Sequence, residues 1–238
     1  MKQTLTSDWD GLRSLPFPEN YPTEEASQRL YDEMLFQRAC QLVLWSMPAV
    51  SVYAMKKGSE AVFGAGSNVL VVWKDRLDAK TLISTPNSDV IYALGYVDLK
   101  QDGPTVIKVP PKQQGILDDF WQRPICDVGY VGPDKGEGGK YLLLPPDFEG
   151  ETPDGYFTFT SPTYNVFVFW PAFIKDGNTV EPVKLMKKTR IYPLDKKDKP
   201  PEMVFPNGSG IPVDMLFPQD YGYFEMIAEF VENEYVGP

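Results

Sequence analysis

The sequence predicts an α+β fold rich in β-strands: a mainly antiparallel sandwich or jelly-roll-like sheet packed with an N-terminal and a C-terminal helix. Short runs of β-branched and aromatic residues fill the middle of the chain, and Gly, Pro, Asn and Asp bound them. Apolar residues recur at helical spacing near both ends. The connections between the runs, such as residues 100–104, are too short for crossover helices, which favours antiparallel pairing.

The N-terminal helix is predicted over residues 23–57. Thr23 offers an N-cap, and two glutamates follow it where the helix dipole favours negative charge. Pro48 is expected to kink or divide this helix, because proline cannot donate the backbone hydrogen bond that the helix needs there. Apolar residues recur every three or four positions, which predicts one buried face made of Leu30, Met34, Leu35, Leu42, Val43 and Trp45.

The rest of the chain divides by composition. Residues 1–22 are predicted to form an extended arm, because three prolines disfavour helix there. Residues 23–238 are predicted to form a single domain, with the β region over residues 66–192. A polar, proline-rich linker over residues 193–210 and a closing helix over residues 220–234 complete it.

Composition excludes several classes of function. The formal charge of -10, with no segregated basic cluster, would repel a nucleic-acid backbone. No apolar run approaches the roughly 20 residues that a membrane-spanning helix needs. Cys40 and Cys126 lie too far apart for a cysteine-based zinc motif. The sequence contains no histidine, so catalysis would have to use carboxylates, lysine, tyrosine or a bound cation.

Charged, aromatic and glycine residues concentrate between positions 118 and 146, which is the best candidate for a functional site. One hypothesis is a hydrolase or lyase that works without histidine. Asp119 or Asp127 would act as base or cation ligand, and Tyr92 or Tyr141 would act as acid. Acidic residues that only cap turns are the structural alternative.

A cation is the cofactor that this segment would suit best. Asp127, Asp134 and Glu137 offer hard oxygen ligands, and calcium takes about six to eight of them. The order of residues is not that of an EF-hand loop. No other cofactor is evident, because the glycines around Lys140 lack the spacing of a phosphate-binding loop.

A carbohydrate or another small ligand is a further alternative, since aromatic rings can stack on a sugar and carboxylates accept its hydroxyl hydrogens. Asn87 and Asp89 also fit an Asx-type turn, which explains both residues without a ligand. The candidate ligand-binding residues are Asn87, Asp89, Trp121, Arg123, Lys135 and Lys140, with Tyr130 and Tyr141 as further stacking rings.

Several spaced motifs together resemble a known family. They are Thr85-Pro-Asn-Ser-Asp-Val-Ile-Tyr92, Asp118-Asp-Phe-Trp-Gln-Arg123, Asp127-Val-Gly129 and Gly132-Pro-Asp-Lys-Gly-Glu-Gly-Gly-Lys-Tyr-Leu-Leu144, followed by Ser161-Pro-Thr163. In this order they resemble the domain of unknown function 1254 over roughly residues 25–235. The resemblance implies a β-rich domain after a leading helix. Relatives often carry an arginine where this chain has Trp170-Pro171, and Pro171 predicts a sheet edge or a bulge there.

The resemblance also implies a setting for the chain. Relatives are usually joined to a second domain of unknown function, 1214, and many look exported, so we expect half of a two-domain architecture of exported or periplasmic origin. An apolar face would then be covered by another copy of the chain or by a separately encoded second domain. A non-catalytic module that binds a partner or ligand, a hydrolase or lyase, and a carbohydrate-binding domain all remain open.

Overall fold

The computed structural model describes residues 9–234, so the first eight residues of the predicted arm lie outside it. Within this range the protein is α+β and rich in strands, as predicted. Its helices are α1 (Trp9–Arg13), α2 (Glu24–Phe63), α3 (Leu99–Asp102), α4 (Val180–Met186) and α5 (Gly222–Asn233). Its strands are β1 (Leu70–Val72), β2 (Thr81–Leu82), β3 (Val90–Asp98), β4 (Thr105–Val109), β5 (Gly115–Asp119), β6 (Pro124–Val128), β7 (Gly139–Leu144), β8 (Phe157–Thr160), β9 (Asn165–Phe173), β10 (Arg190–Pro193) and β11 (Val213–Asp214).

Two sheets form the body of the β region. A five-stranded antiparallel sheet has the order β1-β3-β9-β5-β6. A four-stranded sheet has the order β10-β4-β7-β8 and is antiparallel except for the β7–β8 pair. The short strands β2 and β11 pair in parallel. Pro171 lies where β9 pairs with β3 alone, because the β5 pairing ends at Phe169, so the proline costs no ladder bond on that side.

The main core lies between the two sheets. Alternation along the strands turns one face of each sheet inward, and a single buried cluster unites side chains from both. Its members include Leu70, Ile91, Leu117, Val166, Val168 and Trp170 from the five-stranded sheet and Ile107, Val109, Tyr141 and Leu143 from the four-stranded sheet. The two sheets therefore pack as a sandwich.

The outer face of the five-stranded sheet packs against helices. Ala49, Val52 and Tyr53 of α2 and Phe230 of α5 belong to a second buried cluster with residues of that face. The ring of Tyr53 meets Phe230 edge to face, with centroids 5.7 Å apart. This face of the sheet carries the cleft described below.

The chain divides into two compact units, Met1–Met47 and Pro48–Pro238. The boundary falls inside α2 at the predicted kink position, although α2 is one helix over Glu24–Phe63. The predicted arm contains the short helix α1. Among the described residues, no helix is both long and apolar enough to cross a bilayer.

Most of the predicted buried face of the N-terminal helix is exposed, although Leu42 and Val43 are half-buried. Leu30, Met34, Leu35 and Trp45 are 38%, 45%, 48% and 55% exposed. In the described part of the first unit there is no strand, and the helix is the one long element, so no sheet within this unit covers its apolar residues. Helical spacing identified an apolar face but not what packs on it.

Candidate functional site

A cleft of about 280 Å³ lies on the outer face of the five-stranded sheet. Alternate residues of three neighbouring strands share this face and form its floor: Tyr92 and Leu94 of β3, Phe167 and Phe169 of β9, and Ile116 and Asp118 of β5. Ser51, Met55, Leu77, Ile83, Ser84, Thr85 and Gln122 form the walls. The lining is therefore mostly apolar, with a few polar groups, as in sites for small molecules.

Asp118 is the ionisable carboxyl group in this lining. Its side chain is half-buried, and its Oδ1 atom is buried without a hydrogen-bond partner. Burial raises the pKa of Asp118 to about 6, and the negative charges of Asp119 and Asp127 add to the effect. A carboxyl group that is desolvated and unpaired costs stability, which is typical of functional positions.

Tyr92 stands at the other end of the floor. Asp118 pairs with Phe167, which pairs with Tyr96, so Tyr92 lies two strands across and four residues along from Asp118. Strand spacings place these two Cα atoms roughly 16 Å apart. The Tyr92 ring packs at a tilt on Phe169, with centroids 5.4 Å apart. The cleft therefore has a polar group at each end of an apolar floor.

The Tyr92 hydroxyl is a hydrogen-bond donor at neutral pH. Burial raises the pKa of Tyr92 above its ordinary value, and the negative charge of Asp89 raises it further. The phenol therefore stays protonated. Of the four predicted catalytic residues, Asp119, Asp127, Tyr92 and Tyr141, Tyr92 is the one that lines this cleft.

Replacing Asp118 by asparagine is expected to stabilise the protein by about 1–2 kcal/mol at pH 7–8. The pKa of Asp118 is raised in the folded state, so the ionised carboxylate penalises folding above pH 6. The penalty shrinks as pH falls from 6 toward 4 and disappears below about pH 3, where the carboxyl group is protonated in both states. Urea unfolding of both proteins between pH 4 and pH 8 measures this. Glu137→Gln, a change of an exposed carboxylate, should show no such pH-dependent gain.

Asp119, one of the four predicted catalytic residues, is held by the turn that follows β5. Its side chain is fully buried, and Oδ1 accepts the backbone N–H groups of Trp121 at 2.8 Å and Arg123 at 2.9 Å. Its Oδ2 accepts the Arg123 Nε–H at 2.7 Å. Arg123, predicted to bind a ligand, is therefore paired with Asp119. These bonds close the turn between β5 and β6, because they satisfy donors that the sheet leaves unpaired.

Asp134 and Tyr141 also belong to a structural network. Asp134 is buried and accepts the N–H groups of Gly129 at 2.8 Å and Gly138 at 3.0 Å. The Tyr141 hydroxyl donates to Asp134 Oδ1 at 2.8 Å. Burial, then the bond to Asp134, raises the pKa of Tyr141 far above its usual range. Tyr141 is therefore a poor acid. The Asp134 carboxylate is occupied by the hydrogen bonds that hold the glycine-rich loop.

The other predicted metal ligands do not gather around Asp134. Asp127 and Glu137 are exposed. Across residues 9–234, no group of three or more Asp, Glu, Cys or His side chains is arranged to hold a metal ion. The acidic residues that cluster in sequence therefore spread out in space.

The remaining predicted ligand-binding residues have local partners or lie in solvent. Asn87 Oδ1 accepts the Asp89 N–H at 2.6 Å, which confirms the Asx-type turn. Trp121 packs edge to face on Phe230, with ring centroids 5.5 Å apart. The Lys140 ammonium lies 5.5 Å from the Tyr156 ring centroid, while Lys135 and Tyr130 are exposed. None of these side chains lines the cleft.

Comparison with known proteins shows the family. The model of the family described as "Protein of unknown function (DUF1254)" matches residues 67–193, which is more than half of the chain. The chain therefore belongs to this family, as its motifs predicted. The matched span contains most of both sheets and most of the cleft floor.

One similar solved structure is that of the VPA0106 protein from Vibrio parahaemolyticus. It shares 16% sequence identity at a TM-score of 0.43, over 67% of this chain and 40% of that chain. The present chain thus spans less than half the length of that protein. A search of the curated proteins found no match.

Proposed function

We propose that this chain is a small-molecule-binding module, and that the cleft ending at Asp118 is its binding site. The observation that carries the proposal is the buried, unpartnered Oδ1 atom of Asp118 at the end of an apolar cleft. A ligand that donates a hydrogen bond to this atom removes the cost of leaving it unpaired. The hydrogen-bonding capacity of Asp118 Oδ1 is therefore unused in the folded chain and is available to a ligand.

The shape of the cleft defines the chemistry of the ligand. Its floor of Leu94, Ile116, Phe167 and Phe169 suits an aromatic or aliphatic body. Asp118 suits a protonated amine or a hydroxyl at one end of that body. A carboxylate at the same end is disfavoured, because Asp118 already lies near the negative charges of Asp119 and Asp127.

Three probes with one shared body test this proposal: 4-phenylbutylamine, 4-phenylbutanol and 4-phenylbutyrate. Stabilisation of the folded state by a ligand raises the thermal midpoint. At pH 7.5 we expect the amine to raise the midpoint most, the alcohol less and the acid least. Lowering the pH to 5 should weaken amine binding, because Asp118 gains a proton near pH 6 and loses its charge.

The matched variants make the result specific to Asp118. In Asp118→Asn the preference for the amine over the acid should fall at least about fivefold, a change of about 1 kcal/mol. Glu137→Gln, outside the cleft, should keep the wild-type order. The proposal fails if none of the probes shifts the midpoint, or if Asp118→Asn binds all three as the wild type does.

A second candidate function is self-association through the exposed apolar face of the first unit. Met34, Leu35 and Trp45 are 45%, 48% and 55% exposed and lie within about 100° of one another around a helix that carries charges of both signs. In an antiparallel pair of these helices centred at Leu35, Asp32 of one copy lies level with Arg38 of the other. The occupant that we propose for this face is therefore a second copy of this chain.

Size-exclusion chromatography with light scattering is expected to show a dimer at micromolar concentrations. Leu35→Glu should shift it to a monomer, because it places a charge in an apolar interface. Leu44→Glu makes the same change at an exposed leucine on the opposite side of the helix from Leu35, so it is the matched control and should leave the dimer intact. A wild-type monomer at every concentration would contradict this candidate.

A further inference from the structure

A second cavity, separate from the cleft, has a strongly polar lining. It measures about 200 Å³, several times the roughly 30 Å³ that one water molecule occupies. It lies where the end of α2 meets the loop before β1 and helix α3. Its lining is Lys56, Glu60, Ala65, Gly66, Ser67, Tyr96, Asp98, Gln101 and Asp102.

The cavity wall includes a buried hydroxyl group that the fold leaves unused. Tyr96 is 6% exposed, and its hydroxyl oxygen is buried without a hydrogen-bond partner. Its ring is held firmly, because it stacks on Phe167 at 5.5 Å and meets Phe120 edge to face at 6.3 Å. Burial raises the pKa of Tyr96 far above its usual range, and the negative charge of Glu60 raises it further. Phenylalanine would fill the same space without the cost of an unpaired polar atom.

The ionisable groups of the lining carry a net negative charge. Three carboxylates face one ammonium group, and that ammonium, on Lys56, is 3.3 Å from Glu60 Oε1. Asp98 Oδ1 caps α3 by accepting two backbone N–H groups, and Asp102 Oδ2 accepts the Ser67 hydroxyl at 2.5 Å. Within residues 9–234, the other oxygen of each of these two aspartates accepts no hydrogen bond. In each of these carboxylates, hydrogen bonds hold one oxygen in place, and the other oxygen is available as an acceptor for a ligand.

We propose that this cavity binds a small organic cation through a primary ammonium group. The ammonium would donate to the Tyr96 hydroxyl oxygen and to Asp102, two acceptors that the fold presents without fully using. The surrounding carboxylates neutralise the charge of the ligand. The net charge of -10 on the whole chain raises the local concentration of cations.

An organic cation fits this cavity better than a metal ion. No group of three or more Asp, Glu, Cys or His side chains in the described part of the chain is arranged to hold a metal. A phenol hydroxyl is also a weak ligand for hard divalent cations, which prefer carboxylate, carbonyl and water oxygens. An ammonium group needs no close convergence of charges, because each of its three N–H bonds can reach a different acceptor.

Titration with 1,4-diaminobutane at low ionic strength, followed by NMR chemical shifts, tests the proposal. We expect saturable shifts at residues around the cavity, with 1,4-butanediol as the uncharged probe of equal length giving none. Calcium chloride is the third probe. Tyr96→Phe is the sharpest variant, because it removes one unpaired oxygen atom and should fold at least as stably as the wild type.

Tyr96→Phe and Asp102→Asn are each expected to weaken diamine binding about five- to tenfold. Glu137→Gln, a change of an exposed carboxylate elsewhere, should leave binding unchanged. The proposal is overturned if the diamine gives no saturable shifts or if Tyr96→Phe binds it as tightly as the wild type. Binding of calcium with equal or greater affinity would overturn it as well.

Discussion

Replacing Asp134 by alanine is expected to lower the free energy of unfolding by about 3–5 kcal/mol. The side chain is buried and holds three donors: the N–H groups of Gly129 and Gly138 and the Tyr141 hydroxyl. Alanine leaves all three unpaired in a region with little access to water. Because Gly138 has a positive φ and packs closely on Pro110, the loop has little freedom to find new partners.

Urea unfolding at pH 7 measures this loss, and three variants locate its cause. Asp134→Asn keeps one good acceptor, so it should lose less stability than Asp134→Ala. Tyr141→Phe removes one of the three donors and should cost about 1 kcal/mol. Glu137→Gln, on the exposed side of the same loop, should change little. A loss below 1 kcal/mol in Asp134→Ala would contradict the structural role.

The same proteins separate this network from the calcium site that the sequence predicted. A metal that binds the folded state raises the midpoint of unfolding, and a chelator lowers it. We expect calcium and chelator to leave the wild-type midpoint unchanged, because Asp127 and Glu137 do not converge on Asp134. A calcium-dependent rise that is lost in Asp134→Ala would restore the metal interpretation.

The fold was predictable because its signals are local. Runs such as the one that forms β9 alternate or stay apolar over a few residues, which identifies them as strands. The short turn between β5 and β6 leaves antiparallel pairing as the simplest connection there. The parallel β7–β8 pair was not predictable in the same way. It depends on the long segment between Leu144 and Phe157, whose path follows from tertiary packing.

The candidate site was only partly predictable, because a strand pattern does not say which face of a sheet is covered. Alternation along β5 places Asp118 and Asp119 on opposite sides of the sheet. Which of them meets a cleft depends on how α2 and the segment before β3 cover the outer face of the sheet. The predicted Tyr92 lines the cleft, while Asp118 was missed. The sequence contained an indirect indication of Asp118. Adjacent strand residues face opposite sides, so only one of the two aspartates can accept the backbone N–H groups of the turn that follows.

Closeness in sequence does not place the acidic residues of the glycine-rich loop together in space. In sequence, Asp127, Asp134 and Glu137 look like a ligand set because they are close together. In the folded chain one of them turns inward and accepts backbone N–H groups, while the others face solvent. The backbone N–H groups of a loop need hydrogen-bond acceptors as much as a cation needs oxygen ligands. These N–H groups also lie nearer to the acidic side chains.

Asp118 and Asp119 are adjacent carboxylates with opposite effects on stability. Asp118 lies against the cleft with an unpaired oxygen, so its charge opposes folding. Asp119 is buried completely, yet each of its oxygens accepts a hydrogen bond from the turn. The sign of the effect on stability therefore depends on how many carboxylate oxygens accept hydrogen bonds, and burial alone does not decide it. The adjacent pair is a direct test of that distinction.

Replacing Asp119 by alanine is expected to lower the free energy of unfolding by about 3–5 kcal/mol. The change leaves the N–H groups of Trp121 and Arg123 without their acceptor and removes the partner of the Arg123 side chain. The change also lets Gln122, whose φ is 55°, relax, and this relief of strain offsets only a small part of the loss. Asp119→Asn keeps the Oδ1 acceptor, so it should cost only about 1–2 kcal/mol.

Urea unfolding at pH 7 gives the decisive comparison when it is made on Asp118→Asn and Asp119→Asn side by side. The two substitutions make the same chemical change at neighbouring positions, and we expect them to change stability in opposite directions. Arg123→Gln should lose less than Asp119→Ala, because its side chain is 61% exposed and water replaces much of the ion pair. If both asparagine variants change stability in the same direction, the contrast between an unpaired and a satisfied carboxylate is wrong. The cleft would then lose the feature that marks it as a binding site.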